Sequence, residues 1–108
     1  MRGHKLLTKE LRSKLPALYS QDEKGHDAVA FVKFFSPYSN WTWYASEFDG
    51  IDTFFGLVEG FETELGYFSL SELEAVEVEF LGVKVPAIER DLHWAPRTLK
   101  EIRNRVSA

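Results

Sequence analysis

The residue types able to do chemistry are crowded into the middle of the chain. Ten carboxylates occupy residues 34–83, a stretch with neither Lys nor Arg. Within it Glu47, Asp49 and Asp52 are the densest set of oxygen donors, suited to a hard cation, yet their spacing misses the calcium-loop pattern. Paired carboxylates also serve acid–base or glycosidic chemistry, but with ten candidates the sequence selects no pair. His4, His26 and His93 fall at no metal-ligand spacing. Zero cysteines mean no thiolate nucleophile, disulfide framework or zinc–thiolate site. No Ser or Thr lies in a nucleophile-elbow context, and the Gly56–Gly60 spacing lacks the Lys-Ser/Thr of a phosphate loop. No residue is assigned a catalytic role, and no metal or other cofactor is expected.

Aromatic rings are the second resource. Trp41, Trp43 and Tyr44 lie within four residues, and strand alternation sends both tryptophans to one face and Tyr44 to the other. Buried, they are core; exposed, they form a platform for protein hot spots or base stacking. Alternation also puts Glu47 and Asp49 on the Trp43 side, which suits a protein partner better than a phosphate backbone. Lys33 and Arg90 stand isolated near acidic material and read as salt-bridged structural cations.

The flanks oppose the acidic centre. Residues 1–33 and 84–108 carry +3 each against −10 between them, for a net charge of −4. Either basic terminal helices balance an acidic sheet in space, or one face is strongly negative and attracts a basic partner. A duplex-DNA binder would show a basic footprint. Arg97, Lys100, Arg103 and Arg105 offer one local patch, so nucleic acid is the disfavoured alternative.

The elements that must position these groups follow from pattern. Thr8 is a plausible N-cap for a helix that ends near Leu15, ahead of Pro16. Residues 21–27 read as an exposed loop. Residues 28–35 (AVAFVKFF), 41–49 and 53–61 read as strands, with a tight hairpin at Asp49–Asp52. Gly56 and Gly60 share a face and leave room for a helix or ring to approach. A turn at Glu64–Gly66 leads to a short strand at Tyr67–Phe68. Ser69 with Glu72 and Thr98 with Glu101 form capping boxes, the second opening a helix with Leu99, Ile102 and Val106 inward. Residues 78–85 suggest a ribbon around Gly82, and 86–96 read as irregular. The fold class is α+β, a central antiparallel sheet of three to five strands with short helices at the N-terminus, after the sheet and at the C-terminus, on one side of the sheet.

At 108 residues and 12.5 kDa the chain is expected to form one domain, residues 1–108, with 1–5 a frayed tail. Apolar runs of about five residues are too short to span a bilayer, and no leader or lipidation signal is visible, so a cytoplasmic protein is expected.

Several blocks resemble one family. Residues 6–11 (LLTKEL), 15–21 (LPALYSQ), the central SNWTWYASEFDG followed by DTFFGLVEGFETELGYFSLSEL, and IERDLHW resemble the domain of unknown function 2958 family. The resemblance covers roughly residues 6 to 103, while 77–85 departs from the family spacing. It implies a setting on bacterial plasmids, conjugative elements and phages, and supplies no activity or catalytic residue.

Three functional classes follow. The foremost is a non-enzymatic protein-interaction module whose acidic central surface (Trp41, Trp43, Glu47, Asp49, Asp52, Glu59, Glu62) engages a protein, such as a basic nucleic-acid-handling one. Second is a nucleic-acid-binding accessory protein using the basic C-terminal helix and an exposed ring. Third is a small metal-assisted enzyme built on Glu47, Asp49 and Asp52. The sequence leaves the oligomeric state open.

Overall fold

In the computed structural model, which describes residues 4–104, helices cover both faces of a five-stranded antiparallel sheet. The first helix, α1 (Lys9–Lys14), starts where the Thr8 hydroxyl accepts the Leu11 N–H (3.2 Å) and stops at Leu15, which is extended before Pro16. Residues 22–27, which read as a loop, form a short 3-10 helix broken at Gly25, where φ is 54°.

The predicted strand at 28–35 is two strands. β1 (Val29–Ala30) pairs with the short β9 (Arg97–Thr98), whereas β2 (Val32–Phe35) pairs with β3 (Thr42–Phe48). Phe31 between them donates its N–H to the Ala45 carbonyl (2.9 Å). The split lets β9 deliver the last helix, α3 (Leu99–Asn104), onto the sheet, where Leu99 donates its N–H to the Ala28 carbonyl (2.9 Å). Thr98 and Glu101 form the reciprocal capping box at its start.

β3 continues through the expected hairpin into β4 (Thr53–Glu59), with Gly50 at φ 84° in the turn. The next turn differs from expectation. It falls at Gly60–Glu62, closed by the Gly60 N–H on the Glu62 carbonyl, and β5 (Thr63–Ser69) pairs along its whole length with β4. Gly66, which reads as a turn signal, lies opposite Gly56 inside the ladder. The helix α2 (Leu70–Ala75) follows, then a hairpin of β6 (Glu77–Phe80) and β7 (Val83–Pro86) turning through Leu81 and Gly82, both at positive φ. Within the stretch expected to be irregular, β8 (Glu89–Arg90) pairs with β2, giving the order β5-β4-β3-β2-β8.

One face carries Val32, Phe34, Ala45, Phe48 and Phe54 beneath Leu6, Leu7 and Leu15 of the N-terminal segment and Leu70 and Leu73 of α2. Phe54 is its centre, with ring centroids 4.5 Å from Phe48, 5.3 Å from Phe68 and 5.4 Å from Phe34. The other face carries Tyr44 and Leu57 beneath Leu99 and Ile102 of α3, with Trp94 at the rim. The helices are therefore not confined to one side: β3 has an apolar residue set for each face, and each demands a cover. No helix among the described residues is long and apolar enough to cross a membrane.

Candidate functional site

The central carboxylates separate into two groups according to what holds them. Between Ala45 and Glu47 the β3–β4 register slips, and Ser46 is the extra residue of a bulge. Simple alternation puts Glu47 beside Trp43. The bulge instead turns it to the Tyr44 face, where it is 2% exposed. There its two oxygens accept the backbone N–H groups of Tyr19 (2.8 Å) and Gln21 (2.7 Å). The buried Gln21 amide continues the network to the Ser46 and Val29 carbonyls. Glu47 is thus a structural clamp on the 19–21 loop, removed from the predicted acidic surface.

Asp49 and Asp52 are also engaged within the fold. Asp49 Oδ1 accepts the N–H groups of Ile51, Asp52 and Thr53 across its turn. These bonds, Ile51 foremost, hold its carboxyl below the ordinary 3.8. Asp52 accepts the Ser69 and Ser71 hydroxyls and the Ser71 N–H (2.8 Å) at the start of α2, which holds its carboxyl low as well. The three carboxylates do not converge, and among the described residues no group of three or more His, Asp or Glu could hold a metal ion.

The aromatic residues do converge. Trp41 and Trp43 stack on one face, centroids 5.8 Å apart, as alternation predicts. Phe61, at the tip of the β4–β5 turn and 95% exposed, sets its edge on Trp41 at 5.4 Å. Gly60 makes this possible, since a Cβ there would overlap the Trp41 ring. Both tryptophans are part-buried. Glu62 adjoins Phe61 in the turn, and Glu64 lies on the Trp43 face, opposite Val58, which in turn pairs with Trp43. Glu59 borders the cluster from the other face and accepts the Tyr44 hydroxyl (3.1 Å).

The basic residues lie elsewhere. Arg97, exposed Lys100 and part-buried Arg103 belong to β9 and α3, on the Tyr44 face, and Arg105 lies outside the described residues, as does Val106. Arg97, Lys100 and Arg103 therefore do not share a surface with the Trp41–Phe61 rings. Arg97 instead stacks on Trp94, its guanidinium 4.5 Å from the ring centroid.

A second concavity, which sequence reasoning did not assemble, opens on the Tyr44 face beside β8. Two adjoining cavities of about 490 and 200 Å³ share Lys33, Asp91 and His93 in their walls. Lys33 pairs with Asp91 at 3.7 Å, which matches the structural ion pair expected of it. Arg90 makes no such pair among the described residues; its Nε donates to the Lys5 carbonyl (3.1 Å). The available signal was a lone Lys in an apolar strand together with the dense polar run 89–94.

Comparison with known families decides the relationship. The family model described as Protein of unknown function (DUF2958) matches residues 6–102. The chain belongs to this family. No curated protein and no solved structure matches it. The DUF2958 match takes in both the Trp41–Trp43–Phe61 cluster and the Lys33–Asp91–His93 cleft, while Arg103 and Arg105 fall beyond it. Family membership carries no residue roles, so chemistry must be argued from these two surfaces.

Proposed function

We propose that this DUF2958 protein is a cytoplasmic, non-enzymatic protein-interaction module that docks a basic partner protein on the Trp41–Trp43–Phe61 surface. The observation that carries the reading is Phe61, almost wholly in water yet fixed edge-on to Trp41. A ring so exposed costs apolar hydration in the free chain, and covering it returns about 1.5–3 kcal/mol. Because stacking already orders the cluster, little side-chain entropy is lost on binding. Tryptophan is among the residue types enriched at the hot spots of protein interfaces.

Charge selects the partner's sign. The segment supplying all three rings has no Lys or Arg, and exposed Glu62 and Glu64 border the cluster. A basic surface would be steered to it and its wrong-sign competitors repelled. Nucleic-acid-handling proteins carry such surfaces, which fits the mobile-element setting that the family resemblance implies.

The test is a photo-crosslinking residue placed at position 61 and activated in the bacterial host. Discrete protein conjugates that vanish in a Trp41→Ala background support the reading. Absence of conjugates at 61, with equal conjugates from a control position such as Lys100, refutes it.

A further inference from the structure

We propose that the cleft between β2, β8 and α3 is a binding site for a small organic oxyanion, a phosphate or carboxylate carried on a compact apolar body. Lys33 is the key group. It points from a strand whose neighbours Val32 and Phe34 are buried, and its own side chain is about three-quarters buried (28% exposed). Its ammonium lies 5.8 Å from the Trp94 centroid and 5.9 Å from that of Tyr44. The partner carboxylate of Asp91, at 3.7 Å, is too distant for a charge-assisted hydrogen bond, so the pair offsets charge without saturating three N–H donors.

Arg97 brings a second cation to the same ring. Its Nε donates to the Ala95 carbonyl (3.3 Å), and among the described residues no hydrogen bond or ion pair engages its terminal nitrogens. A guanidinium held over an indole keeps its terminal N–H donors available to an oxyanion. In the smaller cavity Lys33 and Arg97 face the carboxylate of Asp91, with Glu101 close enough to Arg97 to feel its charge and Glu89 in the wall of the larger cavity, and the His93 ring adds a further polar group. The larger cavity, next to it, lies within the size range of small-molecule sites and offers Phe35 and Leu92 to an apolar body.

The walls are preorganised. Asp91 donates its N–H to the Lys33 carbonyl (2.9 Å), Asp91 Oδ1 accepts the His93 N–H (2.9 Å), and the Trp94 indole donates to the Ala30 carbonyl (3.1 Å). The loop 91–94 is thereby fixed to β1 and β2 before any ligand arrives. This site faces away from the Trp41–Phe61 cluster, so the two proposals stand or fall separately.

The test is a titration of the full chain followed by ¹⁵N–¹H correlation NMR at constant ionic strength. The probes are phenyl phosphate, benzoate and, as the neutral control, phenol. Saturable shifts at Lys33, His93 and the Trp94 indole with either anion, and none with phenol, are expected. Arg97→Gln removes an exposed side chain without threatening the fold and is expected to weaken binding about fivefold or more, Lys33→Met about tenfold or more. A response to phenyl phosphate alone identifies a phosphomonoester ligand, and to benzoate alone a carboxylate. No saturable shift with either anion, equal shifts with phenol, or unchanged affinity in Arg97→Gln overturns the proposal.

Discussion

Replacing Glu47 by Gln keeps the side chain's shape and removes its charge, and the structure states what that does. The carboxylate is 2% exposed and accepts two backbone N–H groups, at 2.7 and 2.8 Å. Gln offers one carbonyl oxygen, so one bond is retained in weakened form. Its NH₂ group then faces the second backbone N–H, donor against donor. Hydrogen bonds to a buried charge contribute about 1.5–3 kcal/mol each, and stranding a buried donor costs a further 1–3 kcal/mol, offset by the easier desolvation of a neutral amide. A net loss of about 2–4 kcal/mol follows. For a domain of this size that lowers Tm by roughly 10–25 °C. The loop at stake is itself demanding: Tyr19 holds φ at 70°, and its hydroxyl hydrogen bond to Tyr67 keeps the Tyr67 hydroxyl above its ordinary 10.0. Urea unfolding monitored by far-UV circular dichroism measures the loss directly. A change below about 0.5 kcal/mol, on the order of 3 °C in Tm, would refute the clamp and return Glu47 to the surface.

Other consequences are equally concrete. Phe54→Ala empties the centre of the ring cluster with Phe34, Phe48 and Phe68 and is expected to cost about 3–5 kcal/mol in the same unfolding assay. Gly60→Ala displaces the Trp41 ring and is expected to alter near-UV circular dichroism with modest loss of stability, whereas Gly56→Ala runs its Cβ into the Tyr44 carbonyl and disrupts the sheet. Asp49, Asp52 and Glu101 are all held below their ordinary values by hydrogen bonds, from Ile51, Ser69 and Thr98 foremost. Their stabilisation is complete above the unfolded-state values, near 3.8 and 4.5, and is lost as pH falls through the lower folded-state ones. Tm is therefore expected to fall in that acid range, and Asp52→Asn to reduce the difference between pH 7 and pH 3 while lowering Tm at pH 7.

Much of this arrangement is written locally in the chain. The Thr8 cap, the Asp49–Asp52 hairpin, the Thr98–Glu101 box and the ribbon turn at Gly82 are each set by residues within four positions of one another, and pattern recognises them. The room left by Gly60 for a ring, and the pairing of Trp41 with Trp43 on one face, are legible for the same reason. What pattern misses is decided at a distance. The bulge at Ser46 is invisible in a run of strand-forming residues, yet it moves Glu47 to the opposite face and with it the strongest candidate in the acidic segment. Gly66 resembles a turn signal until its partner, Gly56, is known. Lys33 announces itself as a charge in an apolar strand, but Asp91 and Arg97, which give it a cleft, are joined to it only by tertiary folding.

The central claim is that a basic protein docks on the Trp41–Trp43–Phe61 surface. Its most direct test is capture from bacterial lysate with the full chain, before and after nuclease digestion and across a salt series, alongside Phe61→Ser. The account predicts a protein partner that survives nuclease, is released as salt rises, and is lost in Phe61→Ser, whose exposed position spares the fold. Retention of the same partner by Phe61→Ser, or loss of all bound material on nuclease treatment, would contradict it.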